Sequence, residues 1–448
     1  MLMHRTSPMD EDTRTCFWPR VRQFAVPPAM IETATARRES GDWGGACAAA
    51  RFDVELDVRA VARTYGPELA GQLRSDLRHL APDLLRWHLP RTAPDGLLRP
   101  GLSVTLARYP RDGPAAFHLV ARTAPHRMAA VDQRVGLALW HTSAPGAGLR
   151  PQPRFRLDLH RHLWDARRSH ELANRTAELT DPRFADEIWP FEAALLRTAD
   201  GLAPDVPVAV RSAARRFLLL DPATGSVDAE LRDAGGFPVL PDAATWAPPD
   251  LWLLRSGALP ADRLHPLVAA ALVPGFRSAP APPPSTEDPL PVDCRGARHR
   301  VALVAGRLTS LDHSPEQLRR EELLLAFGGP PLPCLQTIDR AHRQPDDLDA
   351  IVQRLLHGDR SGALAAVRQL IGDERPLPGS PLAERLAADE ELRGVAVLRR
   401  AGIVPRGPRD ARATPQAPPT LLPDGHPHRL RPPRGLRCRC CSFRRHLL

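Results

Sequence analysis

Seven of the eighteen residues between positions 274 and 291 are proline, three of them consecutive at Pro282, Pro283 and Pro284. Proline fixes φ and donates no backbone hydrogen bond, so neither a helix nor a central strand runs through such a stretch. The chain therefore divides into a region at 30–273 and a smaller one at 292–401, joined by a Pro-rich linker at 274–291. The rest of the chain does not share this character. Proline and glycine together make 50 + 30 = 80 of 448 residues, below the roughly 25–30% that marks aperiodic low-complexity chains. A hydrophobic fraction of 43% is enough for real cores.

Within the first region, residues 31–40 read as a helix, Gly41 breaks it, and Asp42 caps a second helix running to about Phe52. Residues 52–58 also alternate and can extend as a strand. Leu69, Leu73, Leu77 and Leu80 form one helical stripe. Alternation at Leu102, Val104 and Leu106, then over 116–121 and 134–140, predicts an antiparallel meander that 154–163 would complete. Helices follow at 165–179 and 185–198. A hairpin is expected over 217–220 and 227–231, turned by Asp221-Pro222-Ala223-Thr224-Gly225.

In the second region a hairpin turns at Ala305-Gly306. Ser314-Pro315-Glu316-Gln317 supplies an N-cap, a proline at the first helical position and a capping-box glutamine. Further helices are expected at 332–343, 346–357, 361–371 and 381–400. The fold class is α+β: N-terminal helices, a small antiparallel sheet and helices, then a β-hairpin with a helical bundle. Residues 1–29 show no period and are expected to be disordered, as is the Arg/Pro/Cys-rich tail at 402–448, so the functional chain is taken to begin near Met30.

Lysine is absent, which excludes a Walker A loop, a protein-kinase ATP site and a pyridoxal Schiff base. The net charge of +9 is concentrated at one end. Residues 405–448 carry ten arginines and two acids, or +8, leaving 9 − 8 = +1 for the rest. A near-neutral body has no net field to steer a polyanion. The tail arginines Arg431, Arg434, Arg437, Arg439, Arg444 and Arg445 are the candidates for nonspecific nucleic-acid association.

Seven irregularly spaced cysteines argue against a disulfide framework and for a reducing cytoplasm. No signal peptide is evident. The longest uncharged apolar stretch, residues 264–276, is too short for a bilayer.

One internal echo stands out. Residues 41–51 and 358–368 are identical at seven of eleven positions. In each, glycine ends a helix, aspartate caps the next, and small side chains let the two helices approach. The corner resembles that of a tetratricopeptide-type helical hairpin, a likeness that implies protein–protein binding. It covers eleven residues at two places, and generic hairpin chemistry also accounts for it.

Asp158, His160 and His162 would share one face of a strand, spaced about 6–7 Å in steps of two, and three converging N/O side chains can hold a divalent metal for hydrolysis. Arg154 and Arg156 on the same side oppose it. His170-Glu171-Leu172-Ala173-Asn174 lacks the second imidazole of a zinc-protease helix. Cys438, Cys440 and Cys441 lack knuckle spacing. Cys294 near His299 and Cys334 near His342 follow no nucleophile motif and read as packed thiols. Trp189, Phe191 and Trp252 are candidates for an apolar interaction patch. With no catalytic constellation and no cofactor motif, the expected function is a non-enzymatic cytoplasmic protein that binds another protein through helical hairpins or an apolar patch. The alternatives are a hydrolase at 158–162 and nucleic-acid association through the tail. No membrane association is expected.

Overall fold

The computed structural model describes residues 11–111, 116–126, 133–142, 150–181, 183–277, 289–330 and 332–401. Helices pack with several small, mainly antiparallel sheets, so the fold class is α+β, as the patterning requires. Among the described residues no helix is long and apolar enough to cross a membrane.

Order begins earlier than position 30. Helix α1 (Glu11–Phe24) places Phe17, Trp18, Val21 and Phe24 in buried positions, the first three of them in the main core. Their spacing is one helical stripe, masked in the sequence by Pro19 within the helix. The expectation of a disordered 1–29 is therefore corrected for residues 11–29. Residues 1–10 and 402–448, which include all six tail arginines, lie outside the described residues.

Helices α2 (Pro28–Glu39), α3 (Trp43–Ala49), α4 (Val58–Tyr65), α5 (Pro67–His79) and α6 (Pro82–His88) pack with a short hairpin, β2 (Arg91–Thr92) and β3 (Leu97–Leu98), against a four-stranded sheet. Strands β4 (Ser103–Pro110), β5 (Ala116–Thr123) and β6 (Val135–His141) form the expected meander. The fourth place belongs to β1 (Phe52–Val54), which runs parallel to β6, and not to residues 154–163. Leu119, Ala121, Val135 and Leu137 face the helices, while Val120, Ala138 and Trp140 form a small cluster of their own.

Residues 154–163 make turns and a 3-10 segment, Arg161–Leu163, and form one isolated backbone bridge to the sheet, Thr105–Arg156, in place of a strand. Two local demands override the alternation. Arg156 forms ion pairs with both Asp158 and Asp200, and the Trp164 Nε1–H donates to the Leu157 carbonyl at 2.9 Å.

Helices α7 (Glu171–Thr176) and α8 (Trp189–Asp200) lead into a second antiparallel sheet of β7 (Val208–Ala213), β8 (Arg216–Leu220) and β9 (Val227–Leu231). The Asp221 turn is made as its residues dictate. The carboxylate accepts from the Ala223 backbone at 2.8 Å and from the Thr224 hydroxyl at 2.9 Å. Short helices α9 (Asp242–Thr245), α10 (Pro249–Arg255) and α11 (Pro266–Leu272) close this region.

The second region starts at Leu290, inside the stretch read as linker. Strands β10 (Leu290–Cys294), β11 (Ala297–Val304) and β12 (Arg307–Ser310) form an antiparallel sheet, followed by α12 (Pro315–Ala326), α13 (Pro333–Arg343), α14 (Leu348–Leu356), α15 (Arg360–Ile371) and α16 (Pro381–Arg400). The capping box at Ser314 and Gln317 is complete in both directions.

The repeated corners are structurally alike. Asp42 and Asp359 each cap the backbone N–H three residues on, at 2.8 and 2.9 Å, and each also pairs with an arginine five residues earlier, Arg37 and Arg354. The two corners also touch. Arg51, the last residue of the first copy, donates to the His357 carbonyl at 3.1 Å and lies across Gly358, the first residue of the second. A Cβ on Gly358 would sit 1.4 Å from the Arg51 guanidinium, which would have to move aside, and φ is +80° there, a conformation that favours glycine.

Candidate metal centre

The sheet at 290–310 turns twice through residue pairs with positive φ: Arg295-Gly296 at 52° and 84°, and Ala305-Gly306 at 51° and 76°. Two consecutive positive φ values suit the two-residue turn whose twist matches the strands it joins. The first turn fixes the register: Cys294 pairs with Ala297 and Val292 with His299. Side chains alternate along a strand, so Cys294 and His299 fall diagonally on one face.

His313 is held just beyond β12. The Asp312 carboxylate accepts from the Arg300 backbone N–H at 2.7 Å and from its guanidinium at 2.9 Å, while Ser314 opens the capping box. Cys334 follows Pro333 in the first turn of α13, which lays it over the sheet. Both sulfurs are buried and both imidazoles half-buried.

These four side chains converge. Cys294 Sγ lies 3.6 Å from His313 Nε2, His299 Nδ1 lies 2.9 Å from His313 Nε2, and Cys334 Sγ lies 3.9 Å from His299 Nδ1. All four ligand atoms fall within 4.8 Å of one another. A tetrahedral zinc with Zn–S near 2.3 Å and Zn–N near 2.0–2.1 Å requires S–N edges of about 3.6 Å and an N–N edge of about 3.3 Å. Three of the six edges, these two S–N separations and the one N–N separation, match within a few tenths of an ångström.

Burial, the sulfur of Cys294 and the charge of Asp312 raise the Cys334 thiol above its ordinary value, the Ser310 hydroxyl pulling the other way. Burial and His299 lower His313, leaving a neutral imidazole. A thiol that resists ionisation in the protein's own field becomes a thiolate once a divalent cation supplies the charge. Two cysteines and two histidines in such reach are a donor set that suits zinc. Among the described residues this is the one group of three or more Cys, His, Asp or Glu whose ligand atoms come within such reach.

Sequence proximity paired these residues differently. Cys334 meets His299 and not His342, which instead pairs with Glu374 at 3.1 Å. Cys294 and Cys334 are buried and packed in an apolar cluster, as read, and each also faces an imidazole nitrogen.

The other candidates are not assembled as expected. Asp158 is bound to Arg156 at 2.7 Å. His160 spends both ring nitrogens, one at 3.1 Å from the Arg156 carbonyl and one at 3.1 Å from the Glu192 carboxylate, which Arg175 also engages. His162 packs edge-on against His160 with ring centroids 5.8 Å apart. Trp189 is a core residue donating to the Thr245 carbonyl, and Trp252 packs half-buried against the main core. Only Phe191 is exposed, beneath Arg175. The exposed apolar surface lies elsewhere, at Leu323, Leu324, Leu325 and Phe327 on and just beyond α12.

Burial drives His160 down to about 4 and lowers His88 and His162 well below their ordinary value. Unfolded imidazoles titrate near 6.5. Between about pH 6.5 and 4 the unfolded chain therefore takes up protons that the folded chain refuses, and stability falls as pH drops through that window. Urea melts at pH 7 and pH 5 check this. The midpoint should be lower at pH 5, and less so in His160→Gln, whereas equal midpoints would contradict it.

No protein-family model, no curated protein and no solved structure matches this chain.

Proposed function

We propose that this chain is a non-enzymatic protein-interaction protein whose second region is organised by a structural zinc ion held by Cys294, His299, His313 and Cys334. The convergence of four protein ligands carries the reading. Catalytic zinc keeps a position open for water, whereas four side chains in tetrahedral reach close the shell. That argues for a scaffold and against a hydrolase.

What the scaffold would present is α12. Its first turn is tied to the metal ligand His313 through Ser314, and its far end exposes Leu323, Leu324, Leu325 and Phe327, the last 87% exposed. Contiguous exposed apolar side chains on an ordered helix fit a protein partner bearing an apolar groove. The free thiols of Cys47, Cys294 and Cys334 fit the reducing cytoplasm expected from the composition.

Metal analysis of the purified full chain tests the proposal. About one zinc per chain is expected, with cobalt replacement giving the visible absorption of a tetrahedral two-sulfur, two-nitrogen site. Cys294→Ser and Cys334→Ser should both abolish it. A chain that stays metal-free after reconstitution, or a zinc content untouched by both serine variants, would overturn the proposal.

A further inference from the structure

The zinc reading leaves a second feature unused. A cavity of about 50 Å³ lies in the first region, walled by apolar side chains such as Phe155, Leu157 and Ile188 and by the polar His88, His162 and Trp246. Three buried nitrogens at this wall have no hydrogen-bond partner: His88 Nε2, His162 Nδ1 and Trp246 Nε1. His88 and His162 are only 7% and 4% exposed. Native interiors satisfy such atoms almost without exception, so three together at one cavity point to an absent occupant.

We propose that this cavity binds a small carboxylate of about four non-hydrogen atoms, its oxygens accepting from the Trp246 indole and from the two imidazoles. The donor chemistry decides the sign of the ligand. An indole N–H can only donate. His88 and His162, kept neutral by burial, each carry one N–H and adjust tautomer to the ligand. Arg154 and Arg175 stand on the same wall, already paired with Asp242 and Glu192. Asp242 and Glu192 line the same wall and offset those guanidinium groups, so the unpartnered nitrogens, led by the donor-only indole, carry the choice of an acceptor-bearing ligand.

Volume decides the size. At roughly 10–15 Å³ per water-sized position the cavity holds about four heavy atoms, and it is well below the roughly 150 Å³ that admits benzene. The apolar wall suits a methyl or methylene carbon beside the carboxylate.

Titration of the full chain with sodium acetate, at ionic strength balanced with sodium chloride, tests the idea by tryptophan fluorescence and Tm. Acetate should give a saturable response that benzoate does not. Trp246→Phe, which keeps an aromatic ring and removes only the donor, should weaken acetate at least about tenfold. His162→Phe should do the same, with Trp246→Phe available if that variant fails to fold. Zinc content should be unchanged in both, which separates this site from the metal centre. No saturable response to acetate, equal binding of benzoate, or undiminished binding in Trp246→Phe would each overturn the proposal and leave a cavity filled by water alone.

Discussion

Chelating zinc from the full chain is expected to accelerate amide exchange at least about a hundredfold across β10, β11, β12 and the start of α13, leaving the rest of the second region comparatively protected. The apolar contacts there are too few to hold a three-stranded sheet by themselves. Buried residues in that cluster are Cys294, Val301, Leu332 and Cys334, supported by half-buried Val292, Leu308, Leu335 and Ile338. Two of the four buried side chains are the proposed ligands. A small sheet with so little apolar burial needs a staple, and structural zinc contributes apparent free energies of about 10–16 kcal/mol in small zinc-folded peptides. Opening by even about 3 kcal/mol less corresponds to the hundredfold change. The neighbouring cluster of Ile351, Leu355, Ala363, Val367, Ile371 and Leu382 owes nothing to the metal. Hydrogen exchange with and without zinc, read by mass spectrometry, separates the two clusters. Identical exchange in 290–310 under both conditions would mean that the sheet stands without metal.

Features specified within a few residues were legible. The Ser314 capping box, the Asp221 turn and both aspartate-capped corners form as read because each is closed by backbone groups three or four positions away. The proposed metal centre was not legible by the usual spacing. Its ligands come in the order Cys, His, His, Cys, with 4, 13 and 20 residues between them. They meet only because a hairpin, a helix approach and the first turn of α13 pack together. One local signal did exist: Arg295-Gly296 between two alternating segments marks a two-residue hairpin and puts Cys294 on the face of His299. The false strand at 154–163 has the opposite cause. Its alternation is genuine, but the Trp164 indole and the His160 ring take the Leu157 and Arg156 carbonyls that a ladder would need, and the Arg156 ion pairs hold the turned conformation. That turned conformation carries His160 and His162 into the wall of the cavity while Asp158 stays with Arg156.

Asp250→Ala is expected to destabilise the first region by about 3–5 kcal/mol, the cost of leaving a buried charge without its partner. The Arg22 and Asp250 side chains are each 1% exposed and are joined by two bonds of 2.7 Å. Burial lowers the Arg22 pKa despite Asp250, yet a guanidinium remains charged at neutral pH. It cannot escape the loss of its partner by deprotonation. Its other contacts include the Trp87 carbonyl at 2.6 Å and the faces of the Trp87 and Trp18 rings at 4.3 and 5.2 Å, none of which neutralises it. Arg22→Ala should cost a similar amount, since it strands Asp250 with only the Trp87 indole N–H, at 3.2 Å, as donor. The double variant Arg22→Met/Asp250→Leu removes both charges and fills the volume, so its loss should shrink to the about 1–3 kcal/mol of the stranded Trp87 groups. Urea denaturation of the three variants gives the coupling directly. Because Arg22 belongs to α1, a large coupling makes that helix part of the folded region, and its place before Met30 does not make it dispensable. Single variants within 1 kcal/mol of the parent would mean that α1 does not dock on α10 in solution.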